Sequence, residues 1–285
     1  MRVAKRPRLC LDLHSARRYR GKVTSVVASP EPNHSPAATH AGDSFQPLAA
    51  SPPPSGRVAE ASVRSLANTP PPLDEYYNAL FTHFGPQHWW PGKTPFEIIV
   101  GAILTQNTSW SNVEKAIANL HAAKLLRPAA IENVSLRKLE RMVRPSGYFR
   151  QKARKLKAFC AFLRAEYRGS LKRMFSTPTI VLRQKLLGVF GVGPETADSI
   201  LLYAGGHSVF VVDAYAKRML IRHGWADEST KYEDLRWTFE RQFPGDARRF
   251  NELHALIVTT GKNFCRRAEP LCGRCPLGRY REEGR

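Results

Sequence analysis

An all-helical fold is predicted by three observations. From Leu73 onward, apolar residues recur at spacings of three and four. Only residues 208–212 read as a strand. Several periodic segments open on residues suited to capping a helix, among them Thr94-Pro95, Ser109, Ser135, Thr177-Pro178 and Asp246.

Residues 1–72 stand apart. They hold 11 of the chain's 21 prolines and two aromatics, Tyr19 and Phe45. Ten Lys and Arg face four Asp and Glu there. Such a segment offers too little apolar surface to offset ordering entropy, so it is predicted to be a disordered basic extension. A DNA-binding arm and an inert extension fit it equally well. An organelle transit peptide is a further reading of its Arg-rich composition, opposed by the helix-breaking runs 52–54 and 70–72.

The helical body then unfolds segment by segment. Tyr76, Tyr77, Leu80, Phe81 and Phe84 mark the first helix, and Phe96, Ile99, Val100, Ile103 and Leu104 the second. Further helices are predicted over 111–124, 135–143, 151–167, 178–187, 194–204, 214–223, 231–243 and 246–260. The longest apolar runs, at 98–104, 200–204 and 209–212, are too short to span a bilayer.

Charge narrows the partner. Lys and Arg number 44 against 24 Asp and Glu, giving +20, most of it outside the extension. A cationic excess gains affinity by releasing counterions from a phosphate backbone, so nucleic acid is favoured over anionic membrane. Five cysteines, at 10, 160, 265, 272 and 275, are an odd set with three crowded into eleven residues. That pattern suits a metal site in a reducing compartment better than a disulfide framework. Cys160 falls on an apolar helix face and reads as a buried thiol.

Chemistry concentrates in two stretches. In Leu186–Ala197, a helix ends, the Gly191-Val192-Gly193 turn follows, and Pro194 opens the next helix. Glycines there permit φ > 0 and leave amides open to a phosphate. Twenty residues past Gly193, Val211-Val212-Asp213-Ala214-Tyr215 sets a carboxylate at a helix start.

Together these stretches resemble the helix-hairpin-helix, Gly/Pro-Asp superfamily of DNA glycosylases. Cys265, Cys272 and Cys275 resemble the iron–sulfur loop of its endonuclease III branch, and Trp89-Trp90-Pro91-Gly92 with Thr105-Gln106-Asn107-Thr108 resembles the branch that includes 3-methyladenine glycosylases. The resemblance spans residues 73–278 and leaves 279–285 as a tail. It implies two helical lobes around a DNA-binding cleft, one over 96–203 and one pairing 73–95 with 204–278. Asp213 then stabilises an oxocarbenium-like sugar and orients water. Gly191 and Gly193 grip a phosphate, Gln106 fills the space left by a flipped nucleotide, and Tyr148 wedges the opposite strand. Trp89, Trp90 and Trp110 offer an electron-rich slot that favours a cationic, N-alkylated purine.

Two departures matter. Bifunctional relatives carry a Schiff-base lysine where this chain has Glu195, and neither Lys185 nor Lys217 matches that position. No cysteine follows Cys275, and the place for a fourth falls at or just beyond Arg281. The expectation is therefore a monofunctional glycosylase with a [4Fe–4S] cluster lacking its fourth thiolate. It would work as a cytoplasmic, nucleoid-associated monomer on double-stranded DNA with a damaged base. An oxidised-pyrimidine glycosylase with AP lyase activity and a non-catalytic iron–sulfur DNA binder are the alternatives.

Overall fold

The computed structural model describes residues 70–281. Residues 1–69 of the basic extension, Cys10 among them, and the last four residues lie outside them. Twelve α-helices, and no strand, occur among the described residues. They are α1 (Leu73–Phe84), α2 (Pro95–Leu104), α3 (Trp110–Ala122), α4 (Pro128–Asn133), α5 (Leu136–Val143) and α6 (Phe149–Tyr167). After them come α7 (Leu171–Phe175), α8 (Thr179–Leu187), α9 (Pro194–Ser199), α10 (Ala214–Arg222), α11 (Tyr232–Glu240) and α12 (Ala247–Asn263). No helix among the described residues is long and apolar enough to cross a membrane.

The periodic segments fold as predicted, while α4 and α7 are too short to show a period in the sequence. Capping is mixed. Thr94, Ser135 and Asp246 accept the amides of Glu97, Lys138 and Arg249. Ser109 makes no such bond, because its hydroxyl pairs with that of Ser111 at 3.0 Å. Thr177 is displaced too: Pro178 takes the cap position of α8, and the Thr177 hydroxyl turns to Tyr167.

The strand-like run 208–212 forms no strand, and it opens on a bend at Ser208. Its amides find side chains instead: Phe210 N–H donates to Glu240 Oε1 at 2.9 Å and Val212 N–H to the Tyr232 hydroxyl. Phe210 also stacks on Phe239, ring centroids 3.8 Å apart. A buried backbone outside helix and sheet requires such partners, and here α11 supplies them.

Packing assembles the helices in neighbouring sets. Helix α6 rests on α4 and α5, and α3 on α5; α12 runs between α1 and α10. Tyr76, Phe159, Phe210, Phe239 and Phe250 are the largest fully buried side chains. Burying each apolar side chain contributes about 1.5–3 kcal/mol. A buried ionic knot locks α8, α9 and α11: Arg183 grips both oxygens of Asp198 and also reaches Glu233, while Tyr232 donates to Asp198 at 2.9 Å. Through the Tyr232 hydroxyl the knot also reaches the amide of Val212, the residue before Asp213.

Helix α9 does not end as an α-helix. Its continuation, Ile200–Ala204, is a π turn in which the Gly205 amide reaches back to Ile200 O.

Candidate active site

Helix α8 ends at Leu187, and residues 188–193 turn the chain into α9. Gly191 has φ +79°, and a Cβ there would fall 2.3 Å from Lys155 Cγ, so both backbone and space demand glycine. Gly193 differs from expectation. It is extended (φ −93°, ψ 179°), and a Cβ would meet nothing within 4 Å. The turn itself does not need a glycine there, because one left-handed residue already reverses the chain.

Gln106, beyond the end of α2, is clamped onto this turn. Its Nε2 donates to Gly191 O at 3.0 Å and to Thr196 Oγ1 at 2.9 Å, and its Oε1 accepts from Lys155 Nζ. Tyr148 is its opposite: 69% exposed and in the left-handed region at φ 44°, just before α6. One side chain joins the two loops. Lys152 on α6 is buried and donates to Leu104 O at 3.0 Å and Ser146 O at 2.5 Å. Burial, with Lys155 second, lowers its pKa to about 8. No motif in the sequence marks Lys152; it reads as one more basic residue.

Asp213 caps α10. Its Oδ1 accepts the amides of Tyr215 and Ala216 at 2.9 and 2.8 Å, and its Oδ2 lies 3.6 Å from His254 Nε2. Burial pushes this carboxyl upward, but His254 and the two amides outweigh it and hold the pKa below the ordinary carboxylate range. Asp213 is therefore an ionised carboxylate, 13% exposed. Glu195, in the first turn of α9, behaves in the opposite way. Its side chain is exposed, and partial loss of hydration, then the Asp213 charge, push its pKa up to about 7. Lys185 and Lys217 bind Glu166 and the Glu228 carbonyl respectively.

The tryptophans form one cluster. Trp89 and Trp90 meet edge to face at 5.3 Å, Trp90 meets Trp110 at 5.2 Å and 90°, and Tyr203 tilts onto Trp90 at 5.1 Å. Trp89 and Trp90 are half-buried, whereas Trp110 is 4% exposed and donates to Glu114. Trp110 thus serves the core under the other two rather than an open surface. Tyr203 and His254 were invisible to sequence reasoning, since both sit within apolar helical runs.

Cys265, Cys272 and Cys275 line one small cavity with Arg222, His223 and Arg281. Arg222 Nη1 lies 3.3 Å from Cys265 Sγ, and Arg218 Nε donates to Cys265 O. Arg281 does stand at the expected fourth place, its Nε buried and without a hydrogen-bond partner. Among the described residues no three His, Cys, Asp or Glu side chains converge closely enough to hold an ion. Cys160 is buried on α6, and burial raises its pKa to about 12.

A hairpin between two helices followed by a capping aspartate defines a class. The chain belongs to the HhH-GPD superfamily of base excision DNA repair proteins, whose family model matches residues 100–244. It is a DNA glycosylase of the endonuclease III-related branch. Its sequence is 47% identical to a putative DNA repair glycosylase of Methanocaldococcus jannaschii, over 72% of this chain and 93% of that protein. It is 27% identical to Endonuclease III of Sulfolobus acidocaldarius, over 66% and 83%. Among solved structures, it is similar to the H. pylori 3-methyladenine DNA glycosylase bound to 1,N6-ethenoadenine (TM-score 0.59, 30% identity, 67% of this chain and 97% of that one). It is also similar to Endonuclease III in a non-covalent DNA complex (TM-score 0.64, 25% identity, 74% and 94%).

Proposed function

We propose that this chain is a monofunctional DNA N-glycosylase that removes alkylated purines from double-stranded DNA by Asp213-assisted hydrolysis. The observation that carries the reading is the pair of carboxyls: Asp213 ionised, and Glu195 where a lysine nucleophile would stand. As the N-glycosidic bond stretches, positive charge develops on the sugar, and the fixed Asp213 charge stabilises it without reorganisation. The same carboxylate orients water for attack. A carboxyl at position 195 forms no imine, so the strand stays uncut.

Two helical lobes, over 96–203 and over 73–95 with 204–278, form the cleft in this reading. Gly191, Gly193 and the amides around them take a phosphate, and the open space beside Gly193 supports a close backbone approach there. Gln106 and Tyr148 enter the duplex, Gln106 by exchanging its bonds to the hairpin for bonds to the orphaned base. Trp89 and Trp90 face the flipped base, with Trp110 beneath them; the Helicobacter structure, a 3-methyladenine glycosylase, supports this substrate class.

Cys265, Cys272 and Cys275 hold a [4Fe–4S] cluster in this proposal. The donor set fits three of its four irons, and the orphaned Arg281 Nε suits the negative charge of a thiolate-bound cluster. The cluster would act as a clamp that presents Arg266, Arg267, Arg274 and Arg279 to the DNA backbone.

Base release from duplexes carrying N-alkylated purines, oxidised pyrimidines or 8-oxoguanine tests the reading. Alkylated purines should be released, leaving an abasic strand that breaks only on heating in alkali. Borohydride trapping of a protein–DNA adduct in good yield would overturn it.

A further inference from the structure

We propose that Tyr203 and His254 are positioning residues: a relay in which the tyrosine fixes the histidine tautomer and the histidine fixes Oδ2 of Asp213. The inference rests on reading Asp213 as the catalytic carboxylate. Both lone-pair directions of Oδ1 are taken by the amides of Tyr215 and Ala216. Oδ2 is the oxygen left for the sugar or water, and His254 Nε2 lies 3.6 Å from it. That nitrogen is shielded from solvent and has no partner within hydrogen-bond distance.

The other ring nitrogen decides where the proton sits. Tyr203 OH lies 2.6 Å from His254 Nδ1, in a pair that is 8% and 4% exposed. The Asp213 carboxylate facing Nε2 makes that nitrogen the better place for a ring proton, which leaves Nδ1 to take the Tyr203 hydroxyl proton as a hydrogen bond. Nδ1 then accepts, and the single ring proton stands on Nε2, aimed at Asp213. A small closure converts this approach into a charge-assisted hydrogen bond.

The backbone is built to hold this tyrosine. Tyr203 lies within the π turn after α9, where one residue more than an α-turn allows is accommodated. Its ring meets both His254, at 5.9 Å, and Trp90, at 5.1 Å. An ordinary buried aromatic pair would need neither the π turn nor the hydroxyl.

The test uses the full chain, single-turnover base release from dimethyl-sulfate-treated duplex DNA, and 15N spectra of histidine-labelled protein. His254→Phe should release base about 10- to 100-fold more slowly with unchanged affinity for the duplex. His254→Gln, whose amide can accept from Tyr203 and donate to Asp213, should recover most of that loss. The 15N shifts should show His254 protonated on Nε2, and Tyr203→Phe should mix the tautomers and slow release several-fold. A wild-type rate for His254→Phe, or a proton on Nδ1 in the native chain, would overturn the relay. Should His254→Phe fail to fold, the tautomer in wild type and Tyr203→Phe decides. An active Asp213→Asn would sink the reading of Asp213 while leaving the tautomer measurement intact.

Discussion

The Asp213 corner and the cysteine loop are both built from a few polar atoms held by α10 and α12, and they are finished to different degrees. At Asp213 one oxygen is saturated by amides and the other faces an imidazole. In the loop, three sulfurs border a cavity without converging, one touches Arg222, and Arg281 points a buried N–H at no acceptor. At Asp213 the protein's own hydrogen bonds saturate one oxygen and leave one buried nitrogen, His254 Nε2, directly facing the other. In the loop the buried Arg281 Nε faces no acceptor, and such a donor costs about 1–3 kcal/mol. One region should tolerate substitution structurally and fail chemically; the other should do the reverse.

The largest effect should come from Asp213→Asn. The amide oxygen can still cap α10, so thermal stability should change by less than about 1 kcal/mol. Base release in a single turnover should fall roughly 10³-fold, the scale of a lost electrostatic stabiliser. A well-folded, near-wild-type enzyme would erase the contrast with the loop.

Next is Cys272→Ser, read by iron and sulfide content and by DNA affinity. Anaerobically purified wild-type protein should be brown, and the variant colourless with about 10-fold weaker binding of duplex. Base release at saturating enzyme should hold. Unaltered metal content would show the loop to be complete in itself.

The two hairpin glycines sharpen the same contrast within one turn. Gly191→Ala forces a left-handed alanine and displaces Lys155 from Gln106, costing about 1–2 kcal/mol in denaturant unfolding. Gly193→Ala should leave stability untouched and weaken DNA binding alone. Equal destabilisation by both would mean that the space beside Gly193 serves folding.

The smallest effect concerns Glu195 and pH. Its folded pKa of about 7 lies above the ordinary value of 4.5. The folded state therefore binds more protons between those values, and stability falls as pH rises from 4.5 through 7. Glu195→Gln should remove that decline and gain on wild type toward pH 8. Solvent screening keeps the gain below about 1 kcal/mol, or roughly 2–4 °C in melting temperature. A variant that loses ground as pH rises would reverse the sign.

Much of the architecture was legible because it follows period and punctuation. Leu73–Phe84 and Phe149–Tyr167 repeat apolar residues often enough to reveal a face, and Thr94 and Asp246 start helices by plain side-chain chemistry. The hairpin and Asp213 were legible as local motifs. What stayed hidden is tertiary. Residues 208–212 look like a strand until Glu240 and Tyr232 arrive from another helix. Tyr203 and His254 lie 51 positions apart, and neither has a local pattern that reports the other. Lys152 is one cation among 44 Lys and Arg until its burial is known.

That lysine carries a kinetic consequence. Its ammonium is shared by the carbonyl of Leu104, which leads to the Gln106 loop, and the carbonyl of Ser146, which leads to Tyr148. Pulling one loop away removes one of its two hydrogen bonds, at a cost of about 1.5–3 kcal/mol. In the proposed function, where Gln106 and Tyr148 both enter the duplex, this shared ammonium ties the movement of one loop to that of the other.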